Sequence, residues 1–218
     1  MIQNEVYYVD YSTDLREIGI LPQAKFLYYP NMDSDQIRYS IDLSGIVNGI
    51  EVVTRAKWSD FLNVVDCMGH EGFVCSEMCE SVLLELNLPP VQSFKTNAFN
   101  GADQKNYWIN LFDHQFYDFI DYDGSKFVAE GISAGKIVFE SSSKPDFEDK
   151  VASARKQGHY EISPQMVIIK KELVRDYDLF SFPKLGISLF ATHKFYQAYM
   201  DLKLTGLQFR KAEVFKFI

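Results

Sequence analysis

Four histidines, three cysteines and several closely spaced aspartates are the side chains able to support catalysis or metal binding in this 218-residue chain. A cysteine or serine nucleophile needs a histidine base and an acid that orients the base. No histidine lies in a recognisable nucleophile motif: His114 is suggestive only as a pair with Asp113, and His193 is interpreted as a surface residue of a first helical turn. We therefore expect no catalytic residue and no enzymatic activity. The histidines are His70, His114, His159 and His193.

A cluster of three cysteines and one histidine is the strongest metal-site candidate. Zinc sites favour cysteine pairs separated by two residues, and this cluster has no such pair. Cys79 also falls on the apolar face of a predicted helix, where a free cysteine behaves as a small buried hydrophobe. We expect neither a metal nor a cofactor. The cluster comprises Cys67, His70, Cys75 and Cys79.

The glycine-containing segment GISAGK, residues 131–136, partly matches a phosphate-binding loop. That motif requires four residues between the glycines and a Ser or Thr after the lysine. Here three residues separate the glycines and Ile137 follows the lysine. We therefore predict a turn between two strands rather than a nucleotide site.

Closely spaced aspartates alternate with aromatic residues in the segment DHQFYDFIDYDG. Residues two apart share a strand face, so Asp121 and Asp123 are predicted to point together, with Asp118 nearby. We predict that these carboxylates bind a basic partner; the alternative is a half-buried strand with its polar face in water. Asp33 and Asp35, in the turn-forming segment NMDSD, are a second candidate contact, because loops often carry recognition.

The net charge of −8 is unevenly distributed along the chain. Residues 1–110 hold seven Lys and Arg against fifteen Asp and Glu, whereas residues 111–218 hold fifteen of each. An acidic surface repels nucleic acid and suits a basic protein partner, although the excess charge also serves solubility. With no apolar run of about 18 residues and no signal-peptide pattern, the expected location is the cytoplasm, without membrane association. The odd cysteine count argues against a disulfide framework.

Turn and strand patterns position these residues. The segments EVYYVDY and KFLYYP are predicted strands. Asp123-Gly124 lies between two alternating runs and predicts a hairpin turn, because both central residues of a type I′ turn need positive φ. A second turn is expected at Gly131 to Gly135, and a surface loop with a short helix is expected over residues 141–159.

One strand–loop–helix–turn–strand pattern occurs twice when Ser76 is aligned with Thr192. Each of these residues can cap a helix, each is preceded by an extended segment, and Asp60 and Asp178 lie at nearly the same distance upstream. Each helix has one apolar face, and two such faces can be buried against a common sheet. We predict an α+β fold: a mixed, mostly antiparallel sheet with two capped helices from a duplicated unit. The chain is expected to be one compact domain of two related lobes, approximately residues 1–100 and 101–218.

The second copy, residues 178–215, resembles the C-terminal signature of a family of bacterial immunity proteins. This family is encoded beside polymorphic toxins delivered by contact-dependent or type VI secretion systems. The matching residues are Asp178, Phe180, Gly186, Leu189, Phe190, Thr192 and the Leu-Thr-Gly-Leu-Gln-Phe segment at 204–209. A weaker match places Asp121 and Ser125 after a tyrosine-rich strand. The likeness covers residues 106–218, extends weakly to Asp60, and leaves the first sixty residues unmatched.

The resemblance implies a non-catalytic antitoxin that binds a cognate toxin in the cytoplasm and occludes its active site. The acidic charge suggests that the toxin is a basic nuclease domain. Two alternatives remain: a small cytoplasmic hydrolase or nuclease, and an adaptor module that associates with itself. The oligomeric state is left open.

Overall fold

The computed structural model describes residues 5–28, 47–64, 72–112, 116–182, 185 and 189–218. Within these ranges the fold is α+β with mostly antiparallel strand pairing, as predicted, but the strands form three sheets rather than the single sheet expected. The strands are β1 (Val6–Tyr11), β2 (Ala24–Tyr28), β3 (Val47–Val52), β4 (Phe61–Leu62), β5 (Gly72–Ser76), β6 (Val91–Asn100), β7 (Asp103–Phe112), β8 (Ile120–Gly131), β9 (Gly135–Glu140), β10 (Glu161–Ile169), β11 (Leu179–Ser181), β12 (Leu189–Thr192), β13 (Leu207–Lys211) and β14 (Phe215–Phe217). The helices are α1 (Leu15–Ile18), α2 (Glu77–Leu83), α3 (Lys144–Lys156), α4 (Glu172–Asp176), α5 (His193–Asp201) and a 3₁₀ helix, Phe116–Phe119.

The chain divides into two compact units. One unit comprises residues 1–9, 114–196 and 209–218, and the other comprises residues 10–113 and 197–208. Each unit has its own hydrophobic core. The ends of the chain therefore belong to the same unit as residues 114–196.

The unit of residues 10–113 and 197–208 contains a six-stranded sheet in the order β2-β3-β6-β7-β5-β4. Its pairs are antiparallel except for β3 with β6. Aliphatic side chains on one face of these strands form the core, because alternate residues of a strand point to the same side. Ile50, Val74 and Ile109 are fully buried in it.

The other unit contains a sheet in the order β14-β10-β8-β9, and a further sheet has the order β11-β12-β1-β13. Aromatic residues dominate this core: Phe127 packs 4.7 Å from Phe147 between ring centroids, and Phe190 packs 4.8 Å from Phe215. Aromatic rings of this kind bury large apolar areas and make favourable edge contacts with one another.

Helix α3 is longer than the short helix predicted for residues 141–159. It runs for 13 residues, and the Ser143 hydroxyl caps its start by accepting from the amide of Asp146. Phe147, Val151 and Ala154 are buried along one side of the helix. Their spacing of four and three residues is that of one helix face, so the buried stripe stabilises the helix along its length.

The predicted hairpin turn at Asp123-Gly124 is wrong. Strand β8 continues through these residues, and its register with β10 shifts so that Asp121 pairs with Ile168 and Lys126 with Met166. The extra residues form a bulge in which Gly124 takes a φ of 80°. A positive φ is as well suited to a bulge as to a tight turn, so the dipeptide did not distinguish the two. The turn predicted at Gly131 to Gly135 is confirmed, since these two glycines pair at the end of the β8–β9 hairpin.

In both predicted copies an aspartate makes the same bonds to the residue that precedes a helix. The main-chain oxygen of Asp60 accepts from the amide of Ser76 at 2.7 Å, and its carboxylate accepts from the Ser76 hydroxyl at 3.1 Å. Asp178 makes the same two bonds to Thr192, at 3.0 and 2.9 Å. The strand residues that follow and precede them pair in the same register.

Candidate partner-binding surface

Asp118 lies in the 3₁₀ helix immediately before β8, with 76% of its side chain exposed. Its carboxylate accepts a hydrogen bond from Lys144 Nζ at 3.0 Å. Lys170 Nζ donates to its main-chain oxygen at 2.9 Å. The two lysines therefore offset part of the negative charge that the sequence places here.

Asp121 and Asp123 lie in the bulge of β8, the first half-buried and the second exposed. The Asp121 carboxylate accepts from the amide of Asp123 at 3.1 Å. Beneath them the hydroxyl of buried Ser125 donates to the main-chain oxygen of Asp121 and accepts from the amide of Ile168 at 2.9 Å. The Ser125 hydroxyl thus joins the main chain of the bulge to the main chain of β10.

Neither Asp121 nor Asp123 forms an ion pair with any residue that the structure describes. Tyr122 between them is buried, and its hydroxyl donates to the main-chain oxygen of Tyr117. Burial, together with the negative charges of Asp118 and Glu148, raises the pKa of Tyr122. We name Asp118, Asp121 and Asp123 the acidic bulge.

The contacts of Lys144 and Lys170 with Asp118 were not anticipated from the sequence. They lie 26 and 52 residues from Asp118 along the chain, on helix α3 and just after strand β10. No local motif links lysines so far away to an aspartate. The other predicted contact residues, Asp33 and Asp35, lie outside the described residues.

The cysteine cluster contains two buried thiols beside a buried carboxylate. Cys75 and Cys79 are free, while Cys67 and His70 lie outside the described residues. Burial, with Cys79 and Glu80 nearby, raises the pKa of Cys75 well above its ordinary value, and burial raises the pKa of Cys79 to about 12. Both sulfurs are therefore protonated thiols near neutral pH, whereas a nucleophile needs the thiolate.

Glu80 organises this buried group. Its carboxylate accepts from the Asn110 side-chain amide at 2.8 Å and from the Ser93 hydroxyl at 3.0 Å. A buried carboxylate needs such donors because burying an unpaired charge is costly. Glu80 and Asn110 thus tie helix α2 to strand β7, a contact that was not anticipated from the sequence.

His193, predicted to be a surface residue, is only half exposed and contacts Glu5, Tyr7 and Tyr196. Its Nδ1 lies 3.7 Å from the Glu5 carboxylate, and its ring lies 5.9 Å from the ring of Tyr196. Glu5 also accepts from Tyr7 at 2.8 Å and from Lys211 at 2.6 Å. The hydrogen bond from Lys211 lowers the pKa of Glu5, and burial, with Glu5 nearby, raises the pKa of Tyr7 to about 12.

The other two histidines of interest are His114 and His159. His114 lies outside the described residues, so the pair that it forms with Asp113 in sequence has no structural account. His159 is buried, and its Nδ1 has no hydrogen-bond partner among the residues described.

Metal ligation and membrane crossing both need specific arrangements of side chains. Among the described residues, no three His, Cys, Asp or Glu side chains form a group able to hold a metal ion. In the same part of the chain, none of the helices combines the length and apolar character needed to cross a bilayer.

Comparison with known proteins gives no assignment. The chain matches no protein-family model, and no curated protein matches it.

Proposed function

We propose that this chain is an immunity protein that binds a cognate bacterial toxin domain in the cytoplasm and occludes its active site without catalysis. The toxin is a basic protein, such as a nuclease whose groove is built for phosphate. The chain uses neither a metal nor a cofactor for this purpose. The acidic bulge is one proposed contact, and Asp33 and Asp35 are another.

The observation that carries this proposal is the hydrogen-bonded bulge of β8, which holds the carboxylates of half-buried Asp121 and exposed Asp123 at the surface. Ser125 fixes the main chain beneath them, and the amide of Asp123 orients the Asp121 carboxylate. A preformed charged surface loses little conformational freedom on binding. It also increases the association rate with a partner of opposite charge.

The motif residues behind the family resemblance have structural roles, which is compatible with a signature of the fold rather than of an active site. Thr205 donates to the Asp60 carboxylate from its amide at 2.9 Å and from its hydroxyl at 2.7 Å. Gly206 adopts a φ of 100°, and a Cβ there would lie 2.1 Å from the main-chain oxygen of Phe61. Specificity for one toxin would then lie outside this motif.

The matching bonds of Asp60 with Ser76 and of Asp178 with Thr192 support the proposed duplication. A main-chain bond, a side-chain bond and a strand register all agree between the copies. We infer that one strand–helix unit was repeated within the chain, with each aspartate joining the start of a strand to the start of a helix.

The test is co-expression with the C-terminal domain encoded by the toxin gene expected directly upstream. The wild-type chain should bind this domain in a pull-down and restore growth. The variant Asp121→Lys/Asp123→Lys should bind more weakly by about tenfold or more, because like charges across an interface are strongly unfavourable. The control is Asp103→Lys/Asp201→Lys, which makes the same change of charge at exposed positions of the other unit. Equal affinities of the two variants would remove the acidic bulge from the interface, and failure to rescue growth would reject the immunity role.

A second candidate function, hydrolase or nuclease, is favoured by one observation: His193 and Glu5 converge, with Tyr7 beside them. A histidine near a carboxylate is a common arrangement for general base catalysis. Turnover of nucleic acid or ester substrates by the purified chain, lost in His193→Ala, would support this function over the first.

A further inference from the structure

The outer strand of one sheet has an unusually exposed edge. Strand β9 is the last in the order β14-β10-β8-β9, and among the described residues it pairs with β8 alone. Five of its six residues are exposed. The exposed residues include two apolar ones, Ile137 at 39% and Val138 at 53%.

The main-chain groups of β9 are directed outward at alternate residues. In an antiparallel pair, every second residue turns its N–H and C=O away from the neighbouring strand. Lys150 Nζ donates to the main-chain oxygen of Glu140 at 2.8 Å, so this oxygen is on the side away from β8. By alternation, the groups of Lys136 and Val138 also face outward.

Strand β9 has only one of the devices that usually protect an edge, the charged side chains of Lys136 and Glu140. Natural edge strands are very short, bulged, charged, interrupted by proline or covered. Strands β4 and β14, at other sheet edges, have two and three residues. In contrast β9 has six residues, contains no proline and pairs with β8 without a register shift.

The sequence of β9 is complementary to itself when read in the opposite direction. With Val138 on a two-fold axis, an antiparallel second copy would place Lys136 opposite Glu140 and Ile137 opposite Phe139. This register also brings together the residues whose main-chain groups face outward. A two-fold contact uses the same patch on both partners, so each favourable pair occurs twice.

The neighbouring strand extends this complementarity. On β8, Glu130 pairs with Lys136 at 2.8 Å, and Lys126 pairs with Glu140 at 3.0 Å. Across two copies the row would therefore read Glu130, Lys136, Glu140, Lys126, with the sign of charge alternating at every strand. The central row would hold only valine, because Val128 is opposite Val138. Cross-strand pairs of both kinds are stabilising.

We infer that β9 pairs antiparallel with β9 of a second copy of this chain, joining two four-stranded sheets into one sheet of eight strands. The occupant of the edge is a second copy because the charge pattern matches itself. Lys150 must release the Glu140 oxygen on pairing, and its existing bond to Asp146 at 2.8 Å remains available. The association does not depend on the proposed toxin binding.

The test uses the full chain and two charge-reversal variants in sedimentation equilibrium. Wild type should show a concentration-dependent species of twice the 25.2 kDa chain mass. Lys136→Glu and Glu140→Lys alone should each weaken association by about tenfold, because like charges then oppose each other across the two-fold. An equimolar mixture of the two variants should restore it, since the glutamate introduced in one variant then faces the lysine introduced in the other.

Control measurements separate this contact from effects on folding. Lys95→Glu, at an exposed position of β6, makes the same change of charge as Lys136→Glu. This variant should associate like wild type. Val138→Lys places two lysines together at the axis and should be monomeric with an unchanged circular dichroism spectrum. A wild-type chain that is monomeric up to its solubility limit, or a mixture that does not restore association, would overturn the inference.

Discussion

Asp178 is bonded to Thr192 twice, through its main-chain oxygen at 3.0 Å and through its carboxylate at 2.9 Å. The carboxylate also accepts from Lys194 Nζ at 2.9 Å. Asp178 directly precedes β11, and its buried side chain thereby joins this strand to the end of β12 and to the first turn of α5. Asp60 makes the equivalent main-chain and hydroxyl bonds to Ser76. In both places a single aspartate holds a strand end and a helix start together.

Replacing Asp178 with Ala should lower the free energy of unfolding by about 2 to 3 kcal/mol, because it removes charge-assisted hydrogen bonds and leaves the Thr192 hydroxyl without this acceptor. Urea denaturation followed by circular dichroism measures the change. The control is Asp176→Ala, whose side chain is exposed and bonded to its neighbour Arg175. That change should stay within about 0.5 kcal/mol. Equal losses for the two variants would contradict the role of Asp178.

Replacing Gly206 with Ala should destabilise the protein by more than the same change at Gly101. Both glycines have positive φ, so alanine is strained at either position by about 1 to 3 kcal/mol. A Cβ at Gly206 would also lie 2.1 Å from the Phe61 oxygen, whereas one at Gly101 meets nothing within 4 Å. The difference between the midpoints of thermal unfolding of the two variants measures the cost of the contact between the new Cβ and the Phe61 oxygen. Similar midpoints would show that the main chain moves apart without cost.

Replacing Ser125 with Ala should loosen the acidic bulge. The change removes the bond from the Ile168 amide and the bond to the Asp121 oxygen, at a cost of about 1 to 3 kcal/mol. Hydrogen exchange at the Ile168 amide should become faster, because its acceptor is lost. Ser133→Ala, in the exposed β8–β9 turn, is the control and should leave that exchange rate unchanged. Unaltered exchange in Ser125→Ala would mean that the bulge is held by other contacts.

The stability of the protein should fall at acid pH partly through Asp146. Hydrogen bonds from Lys150, the Ser142 amide and the Ser141 hydroxyl lower the pKa of this carboxyl below its ordinary value of 3.8. A depressed pKa in the folded state stabilises the protein above pH 3.8, and this contribution is lost as the pH falls further.

The measurement for this prediction is the free energy of unfolding between about pH 7 and pH 2. Asp146→Asn should reduce stability at about pH 7 and give a shallower decline below about pH 4. Asp149→Asn removes the same charge from an exposed position of the same helix and serves as the control. Parallel curves for wild type and Asp146→Asn would show that the carboxylate contributes nothing to acid unfolding.

Local sequence patterns were sufficient for some of the elements and for several of their ends. The helix starting after Ser76, the turn between Gly131 and Gly135 and the strand after Gly206 are confirmed. These features depend on side chains within a few residues of one another, so their physics is contained in short segments. The duplicated unit inferred from the patterns around Asp60 and Asp178 remains a proposal.

The Asp123-Gly124 dipeptide was insufficient to distinguish a hairpin turn from a bulge, because the distant strand β10 pairs with this part of β8. Asp123-Gly124 supplies a positive φ that a hairpin and a bulge can both use. The Ile168 amide, 43 residues away from Ser125, selects the bulge. In the same way, Lys144 and Lys170 reach Asp118 from other elements.

Short-range patterns in the sequence are sufficient for the α+β class, the helix start at Ser76, the acidic excess and the charges at the two ends of β9. Contacts between distant segments make β9 an edge strand, leave Asp121 and Asp123 without ion pairs within the described residues, and place two lysines beside Asp118. The reason is that caps and turns are short-range interactions, whereas exposure and charge compensation depend on which distant segments meet when the chain folds.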